Sequence, residues 1–196
     1  MRESGILMPI SSLPGPYGIG CFGAEAVKFV DFLAAAGQSI WQILPLSPTG
    51  YGDSPYQSCS AFAGNPYFID LEALQAEGLL TKEQLEEADW GEDPCVVDYG
   101  ALYNSRYELL RAAYKAWQAK CVGVHGCETY YPDDYYAFTL TQEDWLDDYA
   151  LYMALKSEQK MKPWTEWPRE YRLRDAEALR RYAAENQDEI GFWKFL

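Results

Sequence analysis

The sequence predicts an α/β fold that opens with one βαβ unit and continues as a long helical region. Two short apolar segments, at residues 5–10 and 40–46, have the composition of strands buried on both faces of a parallel sheet. Apolar side chains repeat at helical spacing between them: Ala26, Phe29, Val30 and Leu33. After Asp70 the pattern is helical for more than a hundred residues, with no second βαβ repeat.

The order strand, helix, strand fixes where the loops of this first unit lie. Gly37 is placed to cap the helix, because glycine readily adopts the left-handed conformation that ends helices. A right-handed crossover sets the two strands side by side in parallel. The loops that follow them, SSLPGPYGIG and the stretch after Leu46, are therefore expected at the same edge of the sheet. The glycine spacing of the first loop matches neither the dinucleotide fingerprint nor the P-loop.

The second loop, within QILPLSPTGYGDSPYQSCSAFAGNPYFID at residues 42–70, is too long for a simple connection. Ligand sites of parallel α/β folds lie at the carboxyl ends of the strands. Tyr51, Tyr56 and Tyr67 offer flat apolar faces with a polar tip, which suits a neutral, hydroxyl-rich ligand. Donors and acceptors are supplied by Asp53, Ser54, Gln57, Ser58, Ser60 and Asn65. A rigid loop whose tyrosines only cover the core is an equal alternative.

The helical region divides into short and long candidates. Residues 71–76 and 81–88 are short helices, and Thr81 with Gln84 has capping-box spacing. Asp98 can cap a longer helix. One face of that helix carries a stripe typical of a core: Tyr103, Tyr107, Leu110, Tyr114 and Trp117. Tyr103 is the exception, because it sits near the helix end.

The second half of the chain segregates its charges. Seven acids and no lysine or arginine lie between Cys121 and Leu155, the pattern of a solvated face, and a basic stretch follows. PWTEWP at 163–168 is expected to link helices rigidly. A last helix is predicted from Asp175, and the apolar ending GFWKFL without a C-cap suggests a cut through a longer chain.

Composition excludes several classes of partner and site. A net charge of −14 disfavours nucleic acid and anionic lipid. The first residues lack a secretory or membrane-spanning segment, and the odd, irregularly spaced five cysteines fit reduced thiols, so a cytoplasmic location is expected. CVGVHGC at 121–127 places Cys121, His125 and Cys127 together, but without paired CxxC spacing or a fourth ligand we favour a turn over zinc. No metal or cofactor is expected.

Two long motifs carry a resemblance to a known family. The runs ILMPISSLPGPYGIGCFG and PLSPTGYGDSPYQSCSAFAGNPYFIDL strongly resemble the N-terminal region of the 4-α-glucanotransferases called amylomaltase or disproportionating enzyme. Weaker similarity continues through VDYGALY, WLDDYALYMALK and PWTEWP. It covers essentially the whole chain, although such enzymes are normally more than twice as long.

The resemblance implies that the chain is the N-terminal fragment of a (β/α)₈ TIM barrel with a large helical inserted subdomain. Residues 1–70 would form the first βαβ unit with its substrate-binding loops, 71–174 the inserted subdomain, and 175–196 the start of a further barrel helix. The family's catalytic carboxylates would lie on later strands, so this chain holds no catalytic residue and is expected to be inactive alone. Asp53 is more simply a turn former.

The resemblance also implies binding roles for the second loop. Ser54 and Tyr56 correspond to the family's glucan contacts beside the cleavage point, with Asp53 and Gln57 as loop supports. Tyr51 and Tyr103 correspond to an auxiliary glucan-contacting pair. Cys59 stands where a bulkier apolar residue is expected, which leaves these roles intact.

Two functions therefore stay open for the chain. The first is the N-terminal portion of an enzyme that moves α-1,4-glucan segments between maltooligosaccharides by a retaining double displacement. The second is a non-catalytic glucan-binding or protein-interaction module. Partners would be α-1,4-glucans and maltooligosaccharides, with the missing remainder of the barrel, or self-association, covering the open strand edges.

Overall fold

The computed structural model describes residues 3–121 and 132–196. The chain forms two compact units, Met1–Lys120 and Cys121–Leu196. The first contains the strands and the two long loops, and the second is helical throughout its described part. The predicted division at 1–70, 71–174 and 175–196 rests on the resemblance to longer enzymes and stays a prediction.

The predicted βαβ unit is confirmed. Strand β1 spans Gly5–Leu7, helix α1 spans Ala24–Ala35 and strand β2 spans Ile40–Gln42. The strands pair in parallel, with Gly5 opposite Ile40. Gly37 has φ 71° and donates its N–H to the carbonyl of Ala34 at 3.1 Å, as expected for a helix-ending glycine.

The strands are shorter and more exposed than predicted. Ile6, Leu7 and Ile40 are exposed, so the expected burial on both faces is wrong for the described chain. The physical reason is that the described residues contain a sheet of two strands, and α1 covers only one of its faces. An apolar strand composition is typical of strands covered on both faces, and two strands with one helix do not cover both faces.

Aromatic packing holds α1 against the sheet. The rings of Phe29 and Trp41 lie edge to face with centroids 4.9 Å apart. The indole N–H of Trp41 donates to the carbonyl oxygen of Met8 at 2.8 Å, which ties β2 to the chain leaving β1. These contacts bring the ends of both strands together.

The two loops share one hydrophobic cluster at that end. Ile10 and Leu13, which follow β1, are buried with Ala26. Ile43 and Leu46, which follow β2, pack against them. The shared cluster agrees with the prediction that both loops follow the same edge of the sheet.

Capped helices follow the second loop. After a 3-10 turn at Pro66–Phe68 come α2 (Leu71–Ala76), α3 (Lys82–Glu87) and α4 (Tyr99–Cys121). The predicted capping box is present, since Thr81 Oγ1 accepts from the N–H of Gln84 at 3.3 Å and Gln84 Oε1 accepts from the N–H of Thr81 at 2.8 Å. Asp98 Oδ1 accepts from the N–H groups of Gly100 and Ala101, as expected for the α4 cap.

The aromatic stripe of α4 is buried in its middle and exposed at its start. Leu110 and Tyr114 are buried, whereas Tyr103 is exposed as expected from its place near the helix start. The stripe therefore changes character along the helix, from core in the middle to surface at the end nearest the second loop.

The second unit is a small helical assembly of α5 (Asp133–Thr141), α6 (Glu143–Glu158), α7 (Arg169–Arg172), α8 (Ala176–Glu185) and α9 (Gln187–Phe195). Helices α6 and α9 pack together, and Lys194 of α9 pairs with Asp147 of α6. PWTEWP folds as a 3-10 turn at Trp164–Glu166 between α6 and α7.

The last helix of the sequence is broken where a single one was expected. Asn186 leaves helical geometry at φ −122° and ψ 36°, and its side-chain amide donates to the carbonyl of Tyr182 at 3.0 Å. An asparagine that hydrogen-bonds a nearby backbone carbonyl competes with helix propagation, so α8 ends before it and α9 begins after it.

The described parts of the chain contain no helix long and apolar enough to cross a membrane. They also contain no group of three or more His, Cys, Asp or Glu side chains placed to hold a metal ion. His125 and Cys127, which with Cys121 formed the weighed zinc motif, lie outside the described residues.

Burial predicts different thiol reactivity within the first unit. Burial raises the pKa of Cys21, and the nearby Asp70 carboxylate raises it further, while Cys95 is exposed. Because the thiolate is the reacting species, we expect iodoacetamide at neutral pH to alkylate Cys21 severalfold more slowly than Cys95 in the native chain. Peptide mapping by mass spectrometry measures both rates, and the difference should vanish in urea. Equal native rates would contradict the burial of Cys21.

Candidate functional site

Two tyrosines project from the second loop into solvent. The relative exposure of Tyr51 is 103% and that of Tyr56 is 75%. Large aromatic side chains are normally buried, and exposed ones on a long loop at a strand's carboxyl end are typical of binding surfaces. The alternative in which all these tyrosines cover the core therefore does not hold for this pair.

Tight turns fix the backbone between the two tyrosines. Gly52 has φ 93° and Asp53 has φ 54°, a left-handed conformation that aspartate tolerates better than most side chains. The N–H of Asp53 donates to Gly50 at 3.1 Å, and the N–H of Gln57 donates to Ser54 at 3.1 Å. Asp53 is thus a turn former, as predicted, and its turn lies between Tyr51 and Tyr56 in the chain.

Two serines expected to face a ligand instead bond within their own loop. Ser58 Oγ donates to the carbonyl of Ser60 at 2.8 Å, and Ser60 Oγ accepts from the N–H groups of Phe62 and Ala63, both at 3.1 Å. These local bonds are the serine turns that compete with regular structure. Their hydroxyls shape the loop that carries the tyrosines.

Asn65 and Tyr67 are also structural, which corrects the expectation that they face a ligand. Both are buried. The N–H of Asn65 donates to Leu46 at 2.8 Å and closes the loop, while its Oδ1 accepts from the N–H of Tyr67 at 3.0 Å. Asn65 therefore caps the 3-10 turn, and the turn carries the Tyr67 ring inward.

Tyr67 joins a tyrosine cluster at the start of α4. Its ring centroid lies 6.1 Å from that of Tyr99 and 6.0 Å from that of Tyr107, and Tyr107 lies 5.4 Å from Tyr103. Burial raises the pKa of Tyr67, and the Asp53 carboxylate raises it further. Burial also raises the pKa of Asp53. The Asp53 carboxylate is thus near enough to this cluster to act on the Tyr67 hydroxyl, and Tyr103 is the exposed member of the cluster.

Arg106 beneath this cluster was not predicted to have a role. Its relative exposure is 1%, and its Nε donates to the carbonyl of Pro66 at 3.4 Å while Nη2 donates to that of Ile69. Burial lowers the pKa of Arg106 to about 10. An arginine on the inward face of a predicted helix is the sequence signal that could have found it, because such a charge is buried only where groups accept its hydrogen bonds.

The predicted site residues thus fall into two groups by exposure. Tyr51, Tyr56, Gln57 and Tyr103 are exposed, and Asp53 and Ser54 are half-buried. The hydroxyl of Ser54 accepts from the N–H of Tyr56 at 3.4 Å. Asp53 is the single carboxylate of residues 42–69 in the sequence, so a pair of carboxyl groups for acid-base chemistry is not assembled within that stretch.

Comparison with known proteins gives a consistent result. A family model described as 4-alpha-glucanotransferase matches residues 8–196. A 4-alpha-glucanotransferase of Clostridium butyricum is 46% identical over 190 residues, which is 96% of this chain and 37% of that protein. One from Thermus thermophilus is 44% identical over 197 residues, covering 99% of this chain and 37% of that protein.

Solved structures agree with the sequence matches. The chain superposes on an amylomaltase from Streptococcus agalactiae, solved in complex with acarbose, with a TM-score of 0.88 and 39% identity. That match covers 100% of this chain and 38% of the other. The chain therefore spans little more than a third of the length of the relatives that it matches.

Proposed function

The chain belongs to the 4-alpha-glucanotransferase family, and we propose that it is the N-terminal portion of an enzyme that moves α-1,4-glucan segments between maltooligosaccharides. In this proposal the chain supplies glucan contacts, and the catalytic carboxylates lie on a part of the enzyme beyond these residues.

The exposed tyrosine loop carries the proposal. Tyr51 and Tyr56 are exposed on the loop that follows the carboxyl end of β2, and barrel enzymes bind substrate on such loops. A tyrosine offers a flat apolar ring for the faces of a sugar and a hydroxyl for its edges. The complex of the S. agalactiae relative with acarbose supports saccharide binding in this family.

The open strands support a barrel. Ile6, Leu7 and Ile40 are apolar and exposed, and the first unit has a parallel strand pair with α1 against one face. Two strands cannot close a barrel, so further strands would have to cover these side chains. We propose that the remainder of a (β/α)₈ barrel does so, with self-association as the alternative for this chain in isolation.

The proposed reaction is a retaining double displacement. It requires a nucleophilic carboxylate and a second carboxyl group that acts first as acid and then as base, about 5 to 5.5 Å apart. Asp53, alone in its loop and holding a left-handed turn, suits a supporting role better than either catalytic role. The 196-residue chain alone should therefore catalyse no transfer.

The proposed roles of the site residues follow from the resemblance and from their exposure. Ser54 and Tyr56 would contact the glucan beside the cleavage point, with Asp53 and Gln57 as supports, while Tyr51 and Tyr103 would form an auxiliary contact. A cytoplasmic location, and the absence of nucleic acid, membrane, metal and cofactor partners, belong to the same proposal. The acidic net charge of −14 favours a neutral substrate over an anionic polymer.

Removing the Tyr56 ring tests the proposal. In the complete enzyme, Tyr56→Ala should lower the rate of maltotriose disproportionation by about tenfold or more, because the contact it removes is made beside the reacting bond. Its thermal midpoint should stay near that of the wild type, since the side chain is largely exposed. Chromatography of the longer and shorter products measures the rate.

Two controls make the result specific. Tyr56→Phe keeps the ring and should retain most of the activity if the flat face is what binds. Tyr136→Ala removes an exposed tyrosine from the second unit and should change nothing. An unchanged rate in Tyr56→Ala would remove this residue from the site, and binding of maltotriose by the complete protein without new products would favour a non-catalytic module.

A further inference from the structure

The second unit contains a pocket remote in sequence from the tyrosine loop. Its volume is about 330 Å³, and it lies between α6, the 3-10 turn at Trp164–Glu166, α7 and α8. Leu151, Leu155 and Leu179 contribute aliphatic walls. The volume is at the lower end of the range of small-molecule sites, which is roughly 300 to 1,000 Å³.

Aromatic side chains form much of the remaining wall. Trp167 is buried, and its indole N–H donates to the carbonyl of Lys162 at 3.0 Å, which fixes the ring. The Tyr152 ring lies against it, with centroids 5.3 Å apart and planes inclined by 34°. Trp164 lines the same pocket with 52% of its surface exposed. The pocket thus has an ordered aromatic floor and a solvent-facing tryptophan.

Proline geometry positions the two tryptophans. Pro163 and Pro168 flank the turn with extended conformations, and the N–H of Trp167 donates to the carbonyl of Trp164 at 3.2 Å. Because proline restricts φ, the turn loses little further freedom when a ligand binds. The motif PWTEWP is therefore more than a link between helices.

A polar rim completes the pocket. Arg174 Nη2 donates to both carboxylate oxygens of Asp148, at 3.1 and 3.0 Å, and Arg172 Nη1 donates to the carbonyl of Thr165 at 3.2 Å. Arg174 has φ 54°, a strained conformation for a side chain of this size. Both guanidinium groups already have oxygen partners within the protein, so the rim offers donors and acceptors rather than an uncompensated positive charge.

These features select a neutral, hydroxyl-bearing ligand with flat apolar faces. A free anion would have to compete with Asp148 for Arg174, and a purely apolar ligand would leave the rim unused. A saccharide satisfies both parts, since its ring faces pack on tryptophan and its hydroxyls bond charged side chains. We propose that this pocket is a second saccharide site, which in an enzyme of the proposed function takes an α-1,4-glucan segment independently of the tyrosine loop.

Calorimetric titration of the 196-residue chain with maltopentaose tests this proposal. The choice of an α-1,4-glucan as the saccharide rests on the proposed function. Without transfer activity the chain leaves the probe intact. The wild type should show two binding events. Trp164→Ala should lower the affinity of one event about tenfold or more, as expected for the loss of an aromatic side chain that the ligand covers. Tyr56→Ala should lower the affinity of the other event.

Matched variants separate binding from folding. Tyr136→Ala removes an aromatic side chain of similar exposure, 58%, from the same unit and should keep both events. Arg174→Gly removes the rim guanidinium at a φ that glycine adopts freely, so it should fold at least as well as the wild type yet weaken the same event as Trp164→Ala.

The outcomes distinguish the pocket from the loop. If Tyr56→Ala abolishes all binding, or if Trp164→Ala and Arg174→Gly keep both events, the pocket is not a saccharide site while the proposed function stands. If only the Trp164-dependent event is seen, the pocket stands and the loop assignment fails. Equal affinity for cellopentaose would overturn the α-1,4 preference, and binding of inorganic phosphate instead of maltopentaose would overturn the saccharide assignment.

Discussion

Replacement of Gly20 by alanine is expected to disrupt the first unit. An alanine Cβ at this position would overlap the carbonyl oxygen of Ile10 and lie 2.7 Å from that of Leu13. Both obstacles are backbone atoms of the first loop, held by the cluster that Ile10 and Leu13 form with Ala26. The loop must therefore move, and we expect a loss of about 4 kcal/mol or more in the free energy of unfolding.

Urea unfolding monitored by hydrogen-exchange mass spectrometry measures this loss, because peptide-level exchange reports the two units separately. Protection should fall in peptides of the first unit. Gly64→Ala is the matched control: among the described residues, no atom beyond its chain neighbours lies within 4 Å of the added Cβ, so its stability should change by no more than about 0.5 kcal/mol. Wild-type protection in Gly20→Ala would show that the first loop is not packed as described.

The local structure of the chain could be predicted because its signals are short in range. The strand pair and Gly37 follow from an apolar pattern interrupted by a capped helix, and the Thr81 capping box needs only its two residues. The composition of the second loop left open whether Tyr56 is exposed or covers the core, and the structure shows that it is exposed. The caps are decided by neighbours in sequence, whereas the pairing of Gly5 with Ile40 is a longer-range contact that could be predicted because a strand-helix-strand crossover is right-handed.

Features decided by distant contacts could not be predicted. Tyr67 and Tyr56 are alike in sequence context, yet Asn65 caps a turn that carries Tyr67 into the core. Arg106 packs against a turn 37 to 40 residues earlier. The exposure of β1 and β2 depends on which elements neighbour them, and the apolar composition of a strand does not show which neighbours are present.

Replacement of Arg106 is expected to have the second large effect, because this side chain joins α4 to the turn beneath the tyrosine loop. Arg106→Ala removes both hydrogen bonds to the turn carbonyls and leaves a cavity at a site that is 1% exposed. We expect a loss of about 3 to 5 kcal/mol in the free energy of unfolding. Exchange protection should fall first at residues 66–69.

Arg106→Met separates packing from hydrogen bonding, because it keeps the buried stem and removes the charge. Two contributions to the free energy of unfolding have opposite signs here. Charge-assisted hydrogen bonds stabilise by about 1.5 to 3 kcal/mol each, and desolvation of the guanidinium destabilises by several kcal/mol. The lowered pKa of Arg106 records that desolvation, and Nη1 has no hydrogen-bond partner among the described residues. We therefore expect Arg106→Met to lose about 1 to 3 kcal/mol in the free energy of unfolding, which is less than Arg106→Ala loses, with the loss concentrated at the turn.

If the methionine variant is as stable as the wild type and protects residues 66–69 from exchange equally, packing alone joins α4 to the turn, and the hydrogen bonds do not position the loop.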